Sequence, residues 1–456
     1  MKLVYDVKDK PGFGKTLVFA LQQLLAIMAA TIAVPMIISR SYDSVGDVSM
    51  STAAALFGAG VGTLVYLLFT KFRSPVFLGS SFAFLGSMSA AFAGAASMQA
   101  GYLGLIIGAV LAGLVYVVIA LVVKIAGVGW IDKLMPAVVI GPTVAIIGLS
   151  LSGNAVGDLV KGSVLNAEGV PVANTYIALL CGLVTLAVTM LCSTYGKKMI
   201  KMIPFIIGIV AGYAVAAIFT VIGKAAGVEA LQVINFSAFE NMQWLPDFTF
   251  LEAFKGVKDI SGGYIATLAV AYVPVAFVVF AEHIADHKNI SSIIEKDLLK
   301  EPGLHRTLLG DGVGSMLGAF FGGCPNTTYG ESVGCVAISG NASVVTILTT
   351  AILAIVIAFV APFIAFLSTI PSCVMGGVCI ALYGFIAVSG LKMIQNVDLG
   401  DNRNLFVVSV ILIAGVGGLT LNFGKVTLTQ VACALILGIL TNLILKKRDG
   451  KKSSDK

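Results

Sequence analysis

Charge is what this chain lacks. Asp, Glu, Lys and Arg make up only 11% of its 456 residues, whereas a soluble domain carries roughly a quarter, so a soluble globular fold is excluded. Histidine is scarce too, with three in all, and the seven cysteines (181, 192, 324, 335, 373, 379, 433) contain no CxxC pair. They lie in or beside apolar runs and read as small packing residues, so neither a disulfide framework nor a metal site is expected. No HExxH or GxSxG occurs, no catalytic set is visible, and the chain is not expected to be an enzyme or to hold a cofactor. "GFGKT" at 12–16 imitates the end of a phosphate loop, but Asp9 stands where the first glycine belongs and an apolar run follows.

What is present is apolar: 58% of residues are hydrophobic, with a mean hydropathy of +1.00. Runs of about 20 apolar residues, the length a helix needs to cross hydrocarbon, recur along the chain. We count fourteen candidate spans, beginning near 15, 50, 76, 101, 133, 174, 201, 262, 307, 324, 343, 372, 405 and 426. The polar start, "MKLVYDVKDKPGFGKT", leads into the first span without a small-residue cleavage site, so a cleaved signal is not expected.

An even number of spans puts both termini on one face. With that face cytoplasmic, only Arg40, Lys161, Lys224, Lys255, Lys258 and Lys425 of the 29 Lys and Arg fall on the other side. This is the asymmetry of the positive-inside rule. The net charge of +6 is therefore a topology signal, and no nucleic-acid partner is expected. The basic tail, 447–456, reads as a solvated end attracted to anionic lipid.

Two spans are abnormal. "VFLGSSFAFLGSMSAAF" (76–92) and "CPNTTYGESVGCVAIS" (324–339) are short and interrupted by Gly, Ser or Thr. They are the third and tenth, equivalent places in two halves of seven. "MPAVVIGPTVAIIG" (135–148) and "IPSCVMGGVCIALYG" (370–384), the fifth and twelfth, share Pro-x-x-Val-x-Gly. Because seven is odd, the second half runs through the membrane inverted. Paired broken segments in inverted repeats mark a secondary transporter, whose substrate site lies where the breaks meet. Taken alone, Gly and Ser could equally serve close helix packing.

Of 23 acidic residues, four fall at membrane depth: Glu282, Asp286, Asp311 and Glu331. A charge there is costly unless protonated, paired or facing a polar cavity, so function is the default hypothesis. Glu282 and Asp286 are four residues apart, on one helix face. Carboxylates so placed tend to share a proton, because burial and mutual repulsion both oppose a second negative charge. The alternative for Asp286 is a solvated place, with His287, in the cytoplasmic loop. Asp311, between Gly310 and Gly312, suits a helix start or packing better than substrate contact. His283 suits either support of Glu282 or a structural contact. The segment 224–261, with Trp244 and several Phe among polar residues, is expected to join the halves outside and to include an interfacial amphipathic piece.

"LGSSFAF" (78–84), "FAEHIADH" (280–287), "KDLLKEPGLHR" (296–306), "CPNTTYGE" (324–331) and "MGGVCIALYG" (375–384) closely resemble the uracil permease branch of the nucleobase–ascorbate transporter family, also called nucleobase:cation symporter 2. The resemblance runs from about residue 15 to 445. It implies an all-α polytopic membrane protein with 14 transmembrane segments in a 7+7 inverted repeat and short extended stretches in the third and tenth. It further implies a core domain (1–127 and 262–370), a gate domain (128–261 and 371–446), and proton-coupled import of uracil across the cytoplasmic membrane. By position, substrate contacts are expected from Phe82, Glu282, Gly330 and Glu331, with Ser81, Tyr329 and Tyr383 as neighbours. Proton coupling is expected from Glu282, Asp286 and Glu331. The implied partners are uracil or a related nucleobase, protons, the lipid bilayer and a second copy of the chain through the gate domain.

The chain departs from the family pattern in having Gln22-Gln23 for Gln-His and Asp286 where a His occurs. Ser332 and Ser339 also replace the Asn and Thr of the segment that follows Glu331. The nearest alternative is a xanthine/urate-type permease, which usually carries Gln where Glu331 stands. An anion exchanger or channel on the same plan is further off.

The chemistry is self-consistent. Uracil is flat and neutral, with two N–H donors and two carbonyl acceptors. Glu282 and Glu331 can pair with its edge, backbone N–H groups at the start of half-helices with its carbonyls, and Phe82 with its ring face.

Overall fold

The structure, a computed structural model, describes residues 3–39, 48–127, 136–166, 170–197, 199–240, 242–395, 397–423 and 426–445. The basic tail and the expected start of the fifth span at 133 lie outside the described residues. The first part of the chain contains α1 (Phe13–Ser39), α2 (Thr52–Phe69), β1 (Leu78–Ser80), α3 (Leu85–Ala93), α4 (Met98–Ala126), α5 (Ala137–Ser150), α6 (Ser152–Leu159), α7 (Thr175–Tyr195), α8 (Met199–Met202) and α9 (Pro204–Ala226). After the short α10 (Thr249–Ala253) come α11 (Gly262–Ile294), α12 (Leu304–Gly322), β2 (Asn326–Thr328), α13 (Gly330–Ser339), α14 (Val344–Ile357), α15 (Ala361–Ser368), α16 (Ser372–Met393), α17 (Asn402–Val416), β3 (Leu421–Phe423), β4 (Val426–Leu428) and α18 (Gln430–Ile444).

The protein is a multi-pass membrane protein. Among the described residues eight helices are long and apolar enough to cross a bilayer, taking α5 and α6 as one (Ala137–Leu159), or nine if α14 and α15, bent by 83° at their junction, count as one. Of the other expected spans, α12 has 19 residues but is less apolar, and the rest are shorter pieces. The third and tenth are each a three-residue strand leading into a short helix, and α17 and α18 have 15 residues each. Polar residues set the helix starts: Ser51, Ser97 and Ser261 each accept a backbone N–H from three residues on, satisfying a donor the helix cannot use. Glycines in the left-handed region, Gly323 and Gly340, end α12 and α13.

The repeated Pro-x-x-Val-x-Gly motif has one local structure in both places. Pro136 and Pro371 are N-caps with φ/ψ of −69°/159° and −73°/156°, immediately before α5 and α16. These two helices pack together, and Gly141 and Gly148 of α5 lie against the α16 backbone at Gly390 and Tyr383. Elsewhere α12 packs between α2 and α4, with α14 against α1 and α2. Small residues make the α2–α12 approach close: Gly58 and Gly62 face Gly318 and Gly314, with no room for a Cβ.

The N-terminal segment is tied to the exit of α13. Ala342 N–H donates to the Tyr5 carbonyl (2.9 Å) and Val344 N–H to the Val7 carbonyl (3.1 Å). Lys296 Nζ reaches Asp6 Oδ2 at 2.5 Å, and this hydrogen bond holds the Asp6 carboxyl below its ordinary range. The chain start, the end of α11 and the end of α13 therefore share a face. In the 224–261 segment, the expected interfacial piece is partly a packing element. Phe248 and Phe250 are locked among Phe57, Phe320 and Phe321, while Trp244 is exposed.

Candidate functional site

The two interrupted segments meet. β1 and β2 pair antiparallel, Leu78 opposite Thr328 and Ser80 opposite Asn326. Ser81 N–H to the Pro325 carbonyl (2.9 Å) and Tyr329 N–H to the Phe77 carbonyl (3.2 Å) extend the pairing. The open edges are covered as well. Thr63 Oγ1 accepts from Leu78 N–H at 2.9 Å and donates to the Leu78 carbonyl at 3.2 Å. The Tyr329 hydroxyl donates to the Ser80 carbonyl at 2.7 Å, and Asn326 Nδ2 to the Gly58 carbonyl at 3.1 Å. Extended backbone survives among apolar helices because its polar groups find such partners.

Ser332, in the first turn of α13, joins this assembly to α1. Its Oγ accepts from Gln23 Nε2 at 2.5 Å and from Phe77 N–H at 3.1 Å. Two departures from the family pattern, Gln23 and Ser332, thus touch each other. Neither Ser332 nor Gln23 lines the cavity described next.

A cavity of about 330 Å³ lies against the breaks, large enough for a small planar ligand. One wall carries Ser81, Phe82, Glu282, Asp286, Tyr329, Gly330 and Glu331. Six of the seven residues expected at a substrate site, and all three expected to couple protons, therefore share one cavity. Tyr383 is absent from the lining: it stands behind Phe82, ring centroids 5.8 Å apart at 79°. The facing wall comes from α5, α7, α8, α9 and α16 and is apolar apart from Ser193, Lys201 and Ser389. The cavity extends past Gly334 to exposed Ile338 near the end of α13, toward the face that holds the chain start.

Glu282, Asp286 and Glu331 are half-buried and, among the described residues, form no ion pair. Asp286 lies inside α11, settling its place as helical rather than in a loop. Its Oδ2 accepts from the Thr328 hydroxyl at 2.8 Å. Above it α13 begins at Gly330, and the N-cap Tyr329 supplies no capping side chain to the first-turn N–H groups. The 3₁₀ turn Phe82–Phe84 likewise starts at the cavity without a side-chain cap.

One residue further round α11, the chemistry is closed. His283 Nδ1 is 2.6 Å from Asp311 Oδ2, and Nε2 is 2.9 Å from Thr307 Oγ1. His287 Nδ1 donates to the His283 carbonyl at 2.7 Å, its Nε2 faces the Tyr66 hydroxyl at 2.7 Å, and the two rings stack at 4.0 Å. Of the alternatives for His283, the structural contact is the one found, and Asp311 is its partner. Both imidazoles and Asp311 are fully buried.

Sequence reasoning passed over Thr327, Thr328 and Lys201 in the lining. The threonines stand inside "NTTYGE", where alternation along an extended stretch could have singled them out. Lys201 carried no signal beyond its count as a cytoplasmic charge.

The chain matches a family model, Xan_ur_permease, described as "Permease family", over residues 14–423. It is 39% identical to the uracil permease of Bacillus caldolyticus over 450 residues, covering 98% of this chain and 96% of that protein. It is 38% identical to the uracil permease of Bacillus subtilis (strain 168), with 97% and 95% covered. Against the uracil permease of Escherichia coli (strain K12) the identity is 35%, with 96% and 93% covered. Among solved structures, the transmembrane domain of a cyanobacterium bicarbonate transporter, BicA, superposes with a TM-score of 0.60 at 16% identity, covering 96% of this chain and all of that one. Murine Slc26a9, an anion transporter in the inward-facing state, superposes at 0.66 with 13% identity, covering 96% and 69%. These last two likenesses concern the fold alone.

Proposed function

The chain belongs to this permease family, a transporter and not an enzyme, and from that premise we propose that it is a proton-coupled symporter importing uracil across the cytoplasmic membrane. The observation that carries the proposal is the convergence of Phe82, Glu282, Gly330 and Glu331 on one cavity where two half-helices begin. In this reading Phe82 covers the ring face. Glu282 and Glu331 pair with the edge of the base, and the N–H groups of the α13 start receive a carbonyl. Asp286 shares the proton load with the two glutamates. Such a site rejects analogues that leave its buried groups unpaired. Its acids, with no cation paired to them, disfavour an anion exchanger on the same fold. Glu331 disfavours a purine permease that uses Gln there.

The same reading takes the chain as fourteen crossings in a 7+7 inverted repeat with both termini cytoplasmic. Segments 1–127 and 262–370 form a core that carries the site, and 128–261 with 371–446 form a gate. The cavity, extending toward the face of the chain start, is then open to the cytoplasm. Coupling follows if the core moves only when the acids are neutralised by proton and base together, because an ionised carboxylate is costly to carry through hydrocarbon.

Purified protein in vesicles with an alkaline interior should accumulate labelled uracil, and unlabelled uracil and 5-fluorouracil should compete while xanthine and urate do not. Uptake that persists after the pH gradient is dissipated excludes proton coupling, and xanthine competing as well as uracil overturns the substrate.

A further inference from the structure

Among the described residues, Asp286 is the one cavity acid with a hydrogen-bond partner from outside its own helix. Its Oδ2 receives the Thr328 hydroxyl at 2.8 Å, while its Oδ1 is directed toward Gly330, 3.7 Å from where a Cβ on that residue would lie. Thr328 is well suited to aim a carboxylate. It is 1% exposed, its backbone is fixed by pairing with Leu78, and as a β-branched residue it has a stiff χ1. Asp286, by contrast, stands on a helix with two side-chain torsions and, among the described residues, forms no ion pair, although Lys201 lines the same cavity. A rigid donor on a strand, acting on a movable acid on a helix, is the arrangement by which a neighbouring shell sets the geometry of a functional group.

Resting on the transport reading above, we propose that Thr328 is a positioning residue that acts through Asp286. Its hydroxyl links α11 to the β1–β2 break and holds the carboxylate at the start of α13, where proton and substrate are exchanged. The hydroxyl is the donor, and an ionised carboxylate accepts it more strongly than a neutral carboxyl does, so its loss is felt mainly by the ionised acid. Thr328 thereby favours release of the proton from Asp286 once substrate has left. Its effect belongs to gradient-driven turnover more than to the capture of the base.

The test is a cycle of Thr328→Val, Thr328→Ser and Asp286→Asn in reconstituted vesicles. It reads KM and maximal rate of gradient-driven uracil uptake, uracil counterflow without a gradient, and melting temperature. Valine keeps the shape and removes the donor. It should lower the maximal rate about tenfold, the scale for one hydrogen bond to a charged group, with KM and counterflow changed less than twofold. Serine should restore the rate. In the Asp286→Asn background Thr328→Val should have no further effect.

The proposal is overturned if valine transports like the parent, if serine fails as valine does, or if the valine defect is undiminished beside Asp286→Asn. A parent that accumulates no uracil refutes the transport reading instead. The bond itself is then judged by melting temperature, where additive effects of Thr328→Val and Asp286→Asn refute it.

Discussion

Gly330 separates a binding-site reading from a packing one. A Cβ built on most buried glycines of this chain meets backbone or a locked ring. At Gly79, for instance, it would fall on the Tyr329 ring, 2.9 Å from the hydroxyl, which is itself held by the Ser80 carbonyl. At Gly330, setting aside its chain neighbours and its own helix backbone, the one described atom within 4 Å is Asp286 Oδ1 at 3.7 Å, an ordinary contact, and the residue is the first of a helix. Nothing in the fold therefore requires glycine there. Alanine should leave the protein as stable as before, or more so by up to about 1 kcal/mol, because it restricts the unfolded chain. The added methyl points into the cavity. If a base packs on that backbone, overfilling costs about 1–3 kcal/mol, or roughly 5- to 150-fold in affinity. Melting temperature and uracil binding by calorimetry on Gly330→Ala check the two halves. Gly79→Ala is the control and should lower the melting temperature. A Gly330→Ala protein that is stable and binds uracil like the parent refutes the placement of the substrate.

Two further outcomes follow from the same geometry. Glu282→Gln and Glu331→Gln should each remain folded, since both side chains face the cavity, yet lose uracil binding in a thermal-shift titration; unaltered affinity in both removes them from the site. Replacing one partner of the buried His283–Asp311 pair should destabilise by roughly 3–5 kcal/mol, measured as folded yield and melting temperature. Replacing both with apolar residues should cost less than the two single changes together.

The class of the protein, the pairing of the third and tenth segments and the three cavity acids were legible in the sequence, each for a physical reason. A helix must be apolar to enter lipid, so a polar, glycine-rich break such as "NTTYGE" stands out. A carboxylate in such a run has few tolerable environments, so Glu282, Asp286 and Glu331 could be singled out. Tyr383 could not be resolved by the same logic. On α16 it is a large aromatic near the site, and only packing decides that it backs Phe82 instead of lining the cavity. The facing wall was equally hidden: apolar residues of α5, α9 and α16 look alike whether they face lipid, protein or a ligand. Span counting also met its limit at α17 and α18, whose 15 residues leave hydropathy little to mark.

The arrangement of α11 explains how one membrane helix tolerates four titratable residues within six positions. Glu282 and Asp286 form one i, i+4 stripe, and His283 and His287 form another, rotated from the first by a single residue, about 100°. The histidine stripe is fully buried, and each of its ring nitrogens has a partner: Asp311, Thr307, the His283 carbonyl or Tyr66. Exchange of protons with a passing substrate is closed to it by geometry. The acid stripe is half-buried and ends at the cavity, and among the described residues its one side-chain hydrogen bond comes from Thr328 on the strand break. Saturating one stripe locks the rotation of the helix, and that rotation keeps the other stripe facing the cavity. Loss of the His283–Asp311 contact should therefore weaken uracil binding even at temperatures where the protein is still folded, although neither residue touches the cavity.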